Sequence, residues 1–321
     1  MTAILEIENL TKTYRKAPRP ALQALNLQVE EGAIYAFVGP NGAGKTTTIR
    51  IIATLLAFEQ GDVRLGGYST RTHPRDVRRL LGYIPDEFGL YDEMSAVEYL
   101  EFFAACYGIA PEKRRSIVAD LLDLVGLTPR AADEVRTLSR GMRQRLGLAR
   151  ALVHEPLLIL ADEPASGLDP RARVELRDIL RALQELGKTI FISSHVLREL
   201  DDIATHVGIL EQGRMVAAGA PEEIRRQVRP HRRARITLLG PPDDAQAWLA
   251  QQPTILSVAP APPLNGEVPR SELVVTVEGD DAALAGLLAA LVANGFPVFA
   301  FTEERETLEN LFLDLTQGGI S

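Results

Sequence analysis

Ala33-Ile-Tyr-Ala-Phe-Val38, running directly into Gly39-Pro-Asn-Gly-Ala-Gly-Lys-Thr-Thr47, is the stretch whose reading decides the fold. The first six residues are an unbroken apolar run of strand length, the pattern of a strand buried on both faces. The next nine fit G-x-x-x-x-G-K-[ST] without a mismatch. Gly39, Gly42 and Gly44 carry no Cβ to keep an anion away from the backbone N–H groups; Pro40, Asn41 and Ala43 fill the positions between them. Lys45 brings a point charge for β- and γ-phosphates, and the Thr46 hydroxyl suits Mg²⁺. A helix expected from Thr47 to Leu56 presents an N-terminus that favours negative charge. Strand, loop and helix in this order separate a phosphate-binding loop from a chance glycine-rich turn, so the stretch predicts a nucleoside triphosphate site.

Such a loop needs carboxylates for the metal and the water. Leu157-Leu-Ile-Leu-Ala-Asp-Glu163 supplies two at the end of an apolar strand, at the sheet edge where open α/β folds bind ligands. Asp162 is the candidate for Mg²⁺, directly or through water. Glu163, aimed differently by strand alternation, is the candidate for polarising the attacking water. The plain alternative is a solvated strand end.

Outward from these two stretches, residues 3–9 and 24–30 alternate apolar and polar residues as an antiparallel pair does. Gly61–Leu65, Leu81–Ile84, Leu157–Ala161 and Thr189–Ser193 read as further strands. Helical periodicity runs from Tyr91 to about Arg150, a helical insertion. Helices at about 170–186 and 195–204 alternate with strands, which points to a parallel sheet covered on both faces. Val207–Leu210 and Met215–Ala218 form a hairpin through Gln212-Gly213. The basic stretch Arg225–Arg235 reads as a linker. Beyond it come strand 234–239, helix 243–252, strands 254–260 and 272–278, helix 281–294 and strand 297–302, the β-α-β-β-α-β order of a ferredoxin-like fold, then a helix at 306–316. The expected fold is α/β: a P-loop domain over 1–228, with mixed sheet core, antiparallel β subdomain and helical subdomain at about 88–150, then a small α+β accessory domain over 229–321.

Bulk properties exclude several classes. Among 321 residues, the part from 231 onward holds 5 Lys and Arg against 12 Asp and Glu, so the acidic excess is C-terminal and no basic surface for nucleic acid is expected. The single Cys106 excludes an internal disulfide and fits a reducing compartment; among Phe102, Phe103 and Tyr107 it reads as a buried structural thiol. The N-terminus lacks the pattern of a signal peptide, and the longest apolar segment, Ala282–Ala293, is shorter than the ~20 residues of a membrane-spanning helix. Any membrane role is expected through a partner.

The ordered motifs over residues 3–219 resemble the ATP-binding subunits of ABC transporters. Pro164-Ala-Ser-Gly-Leu-Asp169 is similar to the family's D-loop, and His195 in Ile-Ser-Ser-His matches its switch histidine, which the resemblance places at the γ-phosphate. Tyr14 matches the aromatic that stacks on adenine, with a half-buried strand tyrosine as the alternative. Two motifs depart from the pattern. The signature L-S-G-G-Q is Leu138-Ser-Arg-Gly-Met142 here; Ser139 suits an N-cap and Gly141 keeps the backbone approachable, so an anion site at a helix N-terminus survives, and Arg140 can add a charged contact to phosphate. Arg143, Arg145 and Arg150 read as a solvated face. The Q-loop glutamine is replaced by Asp86, a carboxylate that can ligate Mg²⁺ but reaches one methylene less far.

The resemblance implies an Mg²⁺-dependent ATPase that works as a head-to-tail dimer, Ser139 and Gly141 of one chain closing over ATP held by the other. It further implies a separate transmembrane permease and a place at the cytoplasmic face of the membrane. The runs Pro85–Met94, Ser-Arg-Gly-Met and Arg305–Leu313 resemble the ABC-2 exporters. The alternatives are a soluble ABC ATPase acting on nucleic acid or ribosomes and a regulatory cassette. Only 93 residues lie between Lys45 and Ser139, with no sustained heptads for a long coiled coil, and the chemistry-bearing residues are retained.

Overall fold

Cross-strand apolar pairs set the first sheet. The computed structural model describes residues 3–86, 89, 91–195, 200–228, 231–260 and 270–304. β1 (Ala3–Lys12) and β2 (Leu22–Glu30) are antiparallel, with Leu5 opposite Val29, Ile7 opposite Leu27 and Leu10 opposite Leu25. Leu10 keeps the face of Ile7 at a spacing of three because the register shifts between them, where Asn9 adopts φ 49°. β3 (Ile34–Val38) leaves for a second sheet and feeds α1 (Lys45–Ile52). β4 (Gln60–Leu65) and β5 (Tyr68–Ser69) return to the first, whose order is β2-β1-β4-β5.

α2 (Pro74–Leu80) precedes β6 (Leu81–Ile84). The helical insertion is α3 (Ala96–Cys106), α4 (Pro111–Leu124) and α5 (Arg140–Leu152). A capping box starts α3: Ser95 accepts from the Glu98 N–H while the Glu98 carboxylate accepts from Ser95. Then follow β7 (Leu158–Asp162), α6 (Pro170–Glu185), β8 (Thr189–Ser194) and the hairpin β9 (His206–Glu211) and β10 (Arg214–Gly219). The second sheet has the order β10-β9-β3-β8-β7-β6, parallel except for β10. Tyr35, Phe37, Leu158, Leu160 and Phe191 on one of its faces share a core with Ile49 and Ile52 of α1 and with the first sheet.

The chain forms two compact units, Met1–Pro221 and Glu222–Ser321. The stretch read as a linker is instead helix α7 (Pro221–Val228) and the start of β11 (His231–Leu239). Its alternating Arg residues hide a strand, since Ala234, Ile236 and Leu238 between them are buried. α8 (Asp243–Leu249), β12 (Ile255–Pro260), β13 (Arg270–Glu278), α9 (Asp281–Ala293) and β14 (Val298–Glu303) follow. The order β12-β13-β11-β14, antiparallel throughout, is ferredoxin-like. Leu249, Leu284 and Leu291 cover one face of it.

Other local expectations change. The helix after the loop starts at Lys45 and stops at Ile52, with Thr54 at φ 61°. The expected helix at 195–204 is a turn over 200–203; residues 196–199, and the helix expected at 306–316, lie outside the described residues. Cys106 is exposed, because the last turn of α3 presents it away from the face that carries Tyr99 and Leu100. Arg145 and Arg150 are not a solvated face: Arg145 donates to the Val125 carbonyl at 2.8 Å and Arg150 to that of Tyr83 at 3.1 Å. They tie α5 to its neighbours, while Arg143 is exposed.

Candidate nucleotide-binding site

The C-terminal ends of β3, β7 and β8 open onto a cleft of about 440 Å³. Its floor is the β3–α1 turn. Asn41, Gly42, Gly44, Lys45, Thr46 and Thr47 line it. Gly44 is the N-cap of α1 at φ 114°, and a Cβ there would lie 2.7 Å from the Ala21 carbonyl oxygen. Only glycine suits both the dihedral and the space. No side chain caps α1, so its first-turn N–H groups and dipole remain for an anion. Gly39 and Ala43 support the loop from behind: a Cβ on Gly39 would strike the Leu210 carbonyl, and the Ala43 carbonyl accepts from the Gly213 N–H at 2.8 Å. Pro40 is exposed beside them.

Lys45 is 6% exposed; its Nζ donates to the Gly39 carbonyl at 2.7 Å and lies 3.5 Å from the Glu163 carboxylate. Glu163 also meets His195, whose Nδ1 lies 2.7 Å from Oε2 and whose backbone N–H donates to the same oxygen at 3.2 Å. Asp162, 3% exposed, accepts from Thr46 Oγ1 at 3.4 Å and from Ser193 Oγ at 2.7 Å. Asp86 and Tyr14 line the same cleft. Tyr14 stands beyond β1, 41% exposed, with its hydroxyl 3.2 Å from Thr47 Oγ1, so it is not a half-buried strand residue.

These residues fit Mg²⁺ and a triphosphate. Thr46 and Asp162 are hard oxygen donors side by side, and the uncapped α1 with Lys45 is an anion cradle. Among the described residues no group of three or more His, Cys, Asp or Glu forms a metal cage. Mg²⁺ needs none, since it binds through one or two carboxylates together with substrate phosphates and water.

The signature residues stand elsewhere. Ser139 caps α5, its Oγ accepting from the Met142 N–H at 3.3 Å. Gly141 is buried against α6, where a Cβ would come within 2.8 Å of Ala172 Cβ. The Arg140 guanidinium lies on Gly167, which holds φ 66°, and not on the phosphate cleft. The first turn of α5 has no acidic residue, which leaves a second anion-favouring N-terminus. None of Ser139, Arg140 and Gly141 lines the cleft that holds Lys45.

The sequence reading missed Thr48 and Ser193. Thr48 is fully buried and its Oγ1 donates to the Gly44 carbonyl at 3.0 Å, locking the turn. Its place one residue past the motif is a signal open to sequence reading. The bonding of Ser193 depends on which strands pair, and sequence does not give that.

A mainly parallel sheet with a P-loop after β3 and adjacent carboxylates, Asp162 and Glu163, at the end of β7 is the core of a P-loop nucleotide-binding domain. The sequence model of the ABC transporter family matches residues 22–166. The chain is 31% identical to the bacitracin transport ATP-binding protein BcrA of Bacillus licheniformis over 99% of each chain. It is 29% identical to the linearmycin resistance ATP-binding protein LnrL of Bacillus subtilis (strain 168) over 98% of each. Its fold superposes with a TM-score of 0.61 and 27% identity on a dimeric ATP-binding cassette in a post-hydrolysis state bound to ADP and Pi, covering 67% of this chain and 98% of that one. The chain belongs to the ABC transporter ATP-binding proteins. It is an ATPase of the ABC type, working on ATP with Mg²⁺.

Proposed function

We propose that this chain powers export of a substrate through a separate membrane-spanning partner, as the two halves of a head-to-tail dimer close over two ATP molecules. The observation that carries the reading is the separation of two anion-favouring helix ends within one chain: α1 at the phosphate cleft and α5 behind Ser139. A second copy brings its α5 to the first copy's cleft. The dimeric cassette of similar fold supports this arrangement, and the transport and resistance proteins similar over their whole length support export. No helix among the described residues is long and apolar enough to cross a membrane, which agrees with a partner supplying the pathway.

In this reading Gly39–Thr47 wraps the phosphates, Lys45 meets the β- and γ-phosphates, and Tyr14 stacks on adenine. Thr46 and Asp162 would hold Mg²⁺, with Asp86 near it, and the bound metal would supply charge neutralisation for the transferred phosphoryl group. Glu163 polarises water, and His195 orients Glu163 and contacts the γ-phosphate. Ser139, Arg140 and Gly141 complete the partner's site. The γ-phosphate favours the closed pair, and its loss reopens it. The ATPase part spans 1–228, and the accessory part, 229–321, stabilises the pair or gates access to it.

Glu163→Gln tests the reading. The variant is expected to lose hydrolysis by at least about 100-fold, keep ATP binding and elute as an ATP-dependent dimer. Unchanged turnover would remove Glu163 from the chemistry, and a monomer under saturating ATP would remove the composite site.

A further inference from the structure

Ser193 is 0% exposed and stands opposite Asp162 in the parallel register of β8 and β7. Its hydroxyl donates to Asp162 Oδ1 at 2.7 Å and accepts from the Glu163 N–H at 3.0 Å. The direction of both bonds is fixed, because an ionised carboxylate only accepts and a backbone N–H only donates. One buried hydroxyl therefore joins the two adjacent carboxylate residues of the site.

The two bonds have different consequences. On Asp162 the hydroxyl occupies one oxygen and fixes the rotation of the carboxylate, which Thr46, at 3.4 Å, holds only weakly. On Glu163 it anchors a backbone at φ 49°, a left-handed conformation that a residue other than glycine adopts only when its surroundings impose it. The Glu163 N–H is shared with the Ser193 carbonyl at 3.2 Å, so both acceptors of this N–H belong to one residue, while the Glu163 carbonyl accepts from the Ser166 N–H at 3.0 Å. In that conformation the Glu163 side chain reaches His195 at 2.7 Å and Lys45 at 3.5 Å.

We infer that Ser193 is a positioning residue for ATP hydrolysis: it orients Asp162 toward the metal and holds Glu163 in its left-handed conformation. The inference rests on the roles proposed above for Asp162 and Glu163. A hydroxyl behind a metal ligand sets that ligand's orientation, and losing such a partner typically costs about 10–100-fold in metal affinity or activity.

The test uses the full chain with Ser193→Ala and Ser193→Cys. Three quantities are read: turnover, ATP affinity without divalent metal, and Mn²⁺ affinity of the ATP-bound protein by electron paramagnetic resonance. For Ser193→Ala we expect kcat to fall about 10–100-fold and Mn²⁺ affinity about tenfold, with metal-free ATP affinity within about twofold of the parent. Ser193→Cys fills the same space with a weak donor and should fall between the two. A Cys variant with parental turnover and Mn²⁺ affinity overturns the inference, even if Ser193→Ala fails to fold. Loss of metal-free ATP binding in step with turnover in both variants also overturns it, since that marks a packing role. Asp162→Asn is measured alongside. If it keeps Mn²⁺ affinity, the metal assignment of Asp162 is what fails; if it loses affinity while both Ser193 variants do not, only the Ser193 inference falls.

Discussion

Among the described residues, each unit of the chain buries one carboxylate in a sheet, and the two are treated in opposite ways. Asp162 in the cassette is 3% exposed and, among the described residues, its carboxylate accepts from neutral hydroxyls, those of Ser193 and Thr46. Glu272 in the C-terminal unit is 6% exposed and meets a cation, Arg235 Nη1 at 2.7 Å, with Thr237 at 3.4 Å. Burial alone disfavours a charged carboxylate, and a nearby cation offsets that cost. Glu272 has its counter-charge within the fold and needs nothing more. Asp162 has hydroxyls that orient it, which suits the metal-holding role proposed for it above. A buried acid thus belongs to function when its partners are neutral and a cleft adjoins it, and to structure when a guanidinium closes it off.

The largest test of that contrast exchanges each carboxylate for its amide. Asp162→Asn should cut hydrolysis by at least about 100-fold with little change in melting temperature, because the proposed metal ligand is lost and no ion pair is broken. Glu272→Gln should leave hydrolysis within about twofold. Its cost is expected in stability, about 1 kcal/mol, because Arg235 is 39% exposed and water screens the pair. A tenfold loss of hydrolysis in Glu272→Gln would break the comparison, since the C-terminal pair would then act on the site.

Two glycines sharpen it next. Gly44 and Gly240 hold nearly the same φ, 114° and 110°, but a Cβ on Gly44 would crowd the Ala21 carbonyl whereas one on Gly240 meets nothing within 4 Å. Gly240→Ala should cost only the dihedral strain, about 1 kcal/mol, and leave ATP affinity unchanged. Gly44→Ala should cost that strain and also distort the cradle, weakening ATP binding at least about tenfold in an equilibrium titration. Equal effects on ATP binding would mean that the dihedral, and not the close approach, governs the loop.

The sequence exposes the site and much of the fold to different depths. Gly39–Thr47, Asp162 and Glu163 are legible because their chemistry lies in contiguous residues that directly follow apolar runs of strand length. The β-α-β-β-α-β order of the C-terminal unit is legible from periodicity. What escapes is whatever depends on a partner distant in sequence. Arg145 and Arg150 have the spacing of a solvated helix face, but carbonyls of Val125 and Tyr83 come to meet them. Ser193 looks like one of two serines before a histidine until β8 pairs with β7 and sets it opposite Asp162. α2, with 7 residues and Pro74 at its start, is too short to show a helical period. In β11 the run of arginines masks the alternation that makes it a strand.

The smallest effect tests the limiting case, a buried polar atom with no partner of either kind. Tyr35 on β3 is 3% exposed and stacks on Phe191 at 5.5 Å with the rings 4° from parallel. Its hydroxyl lies over Gly208, where a Cβ would come within 2.5 Å, and has no hydrogen-bond partner among the described residues. Burial pushes the phenol far above its ordinary range, so it stays neutral at any working pH. If polar burial stabilises only through partners, Tyr35→Phe keeps the stacking and removes an unmet desolvation cost. The variant should gain about 1 kcal/mol, read as a rise of about 2–4 °C in the cassette's Tm, with hydrolysis unchanged within about twofold. A loss of stability would reveal a buried water bonded to the hydroxyl. Tyr35 would then be a partnered group like Ser193, and no exception to the rule that separates Asp162 from Glu272.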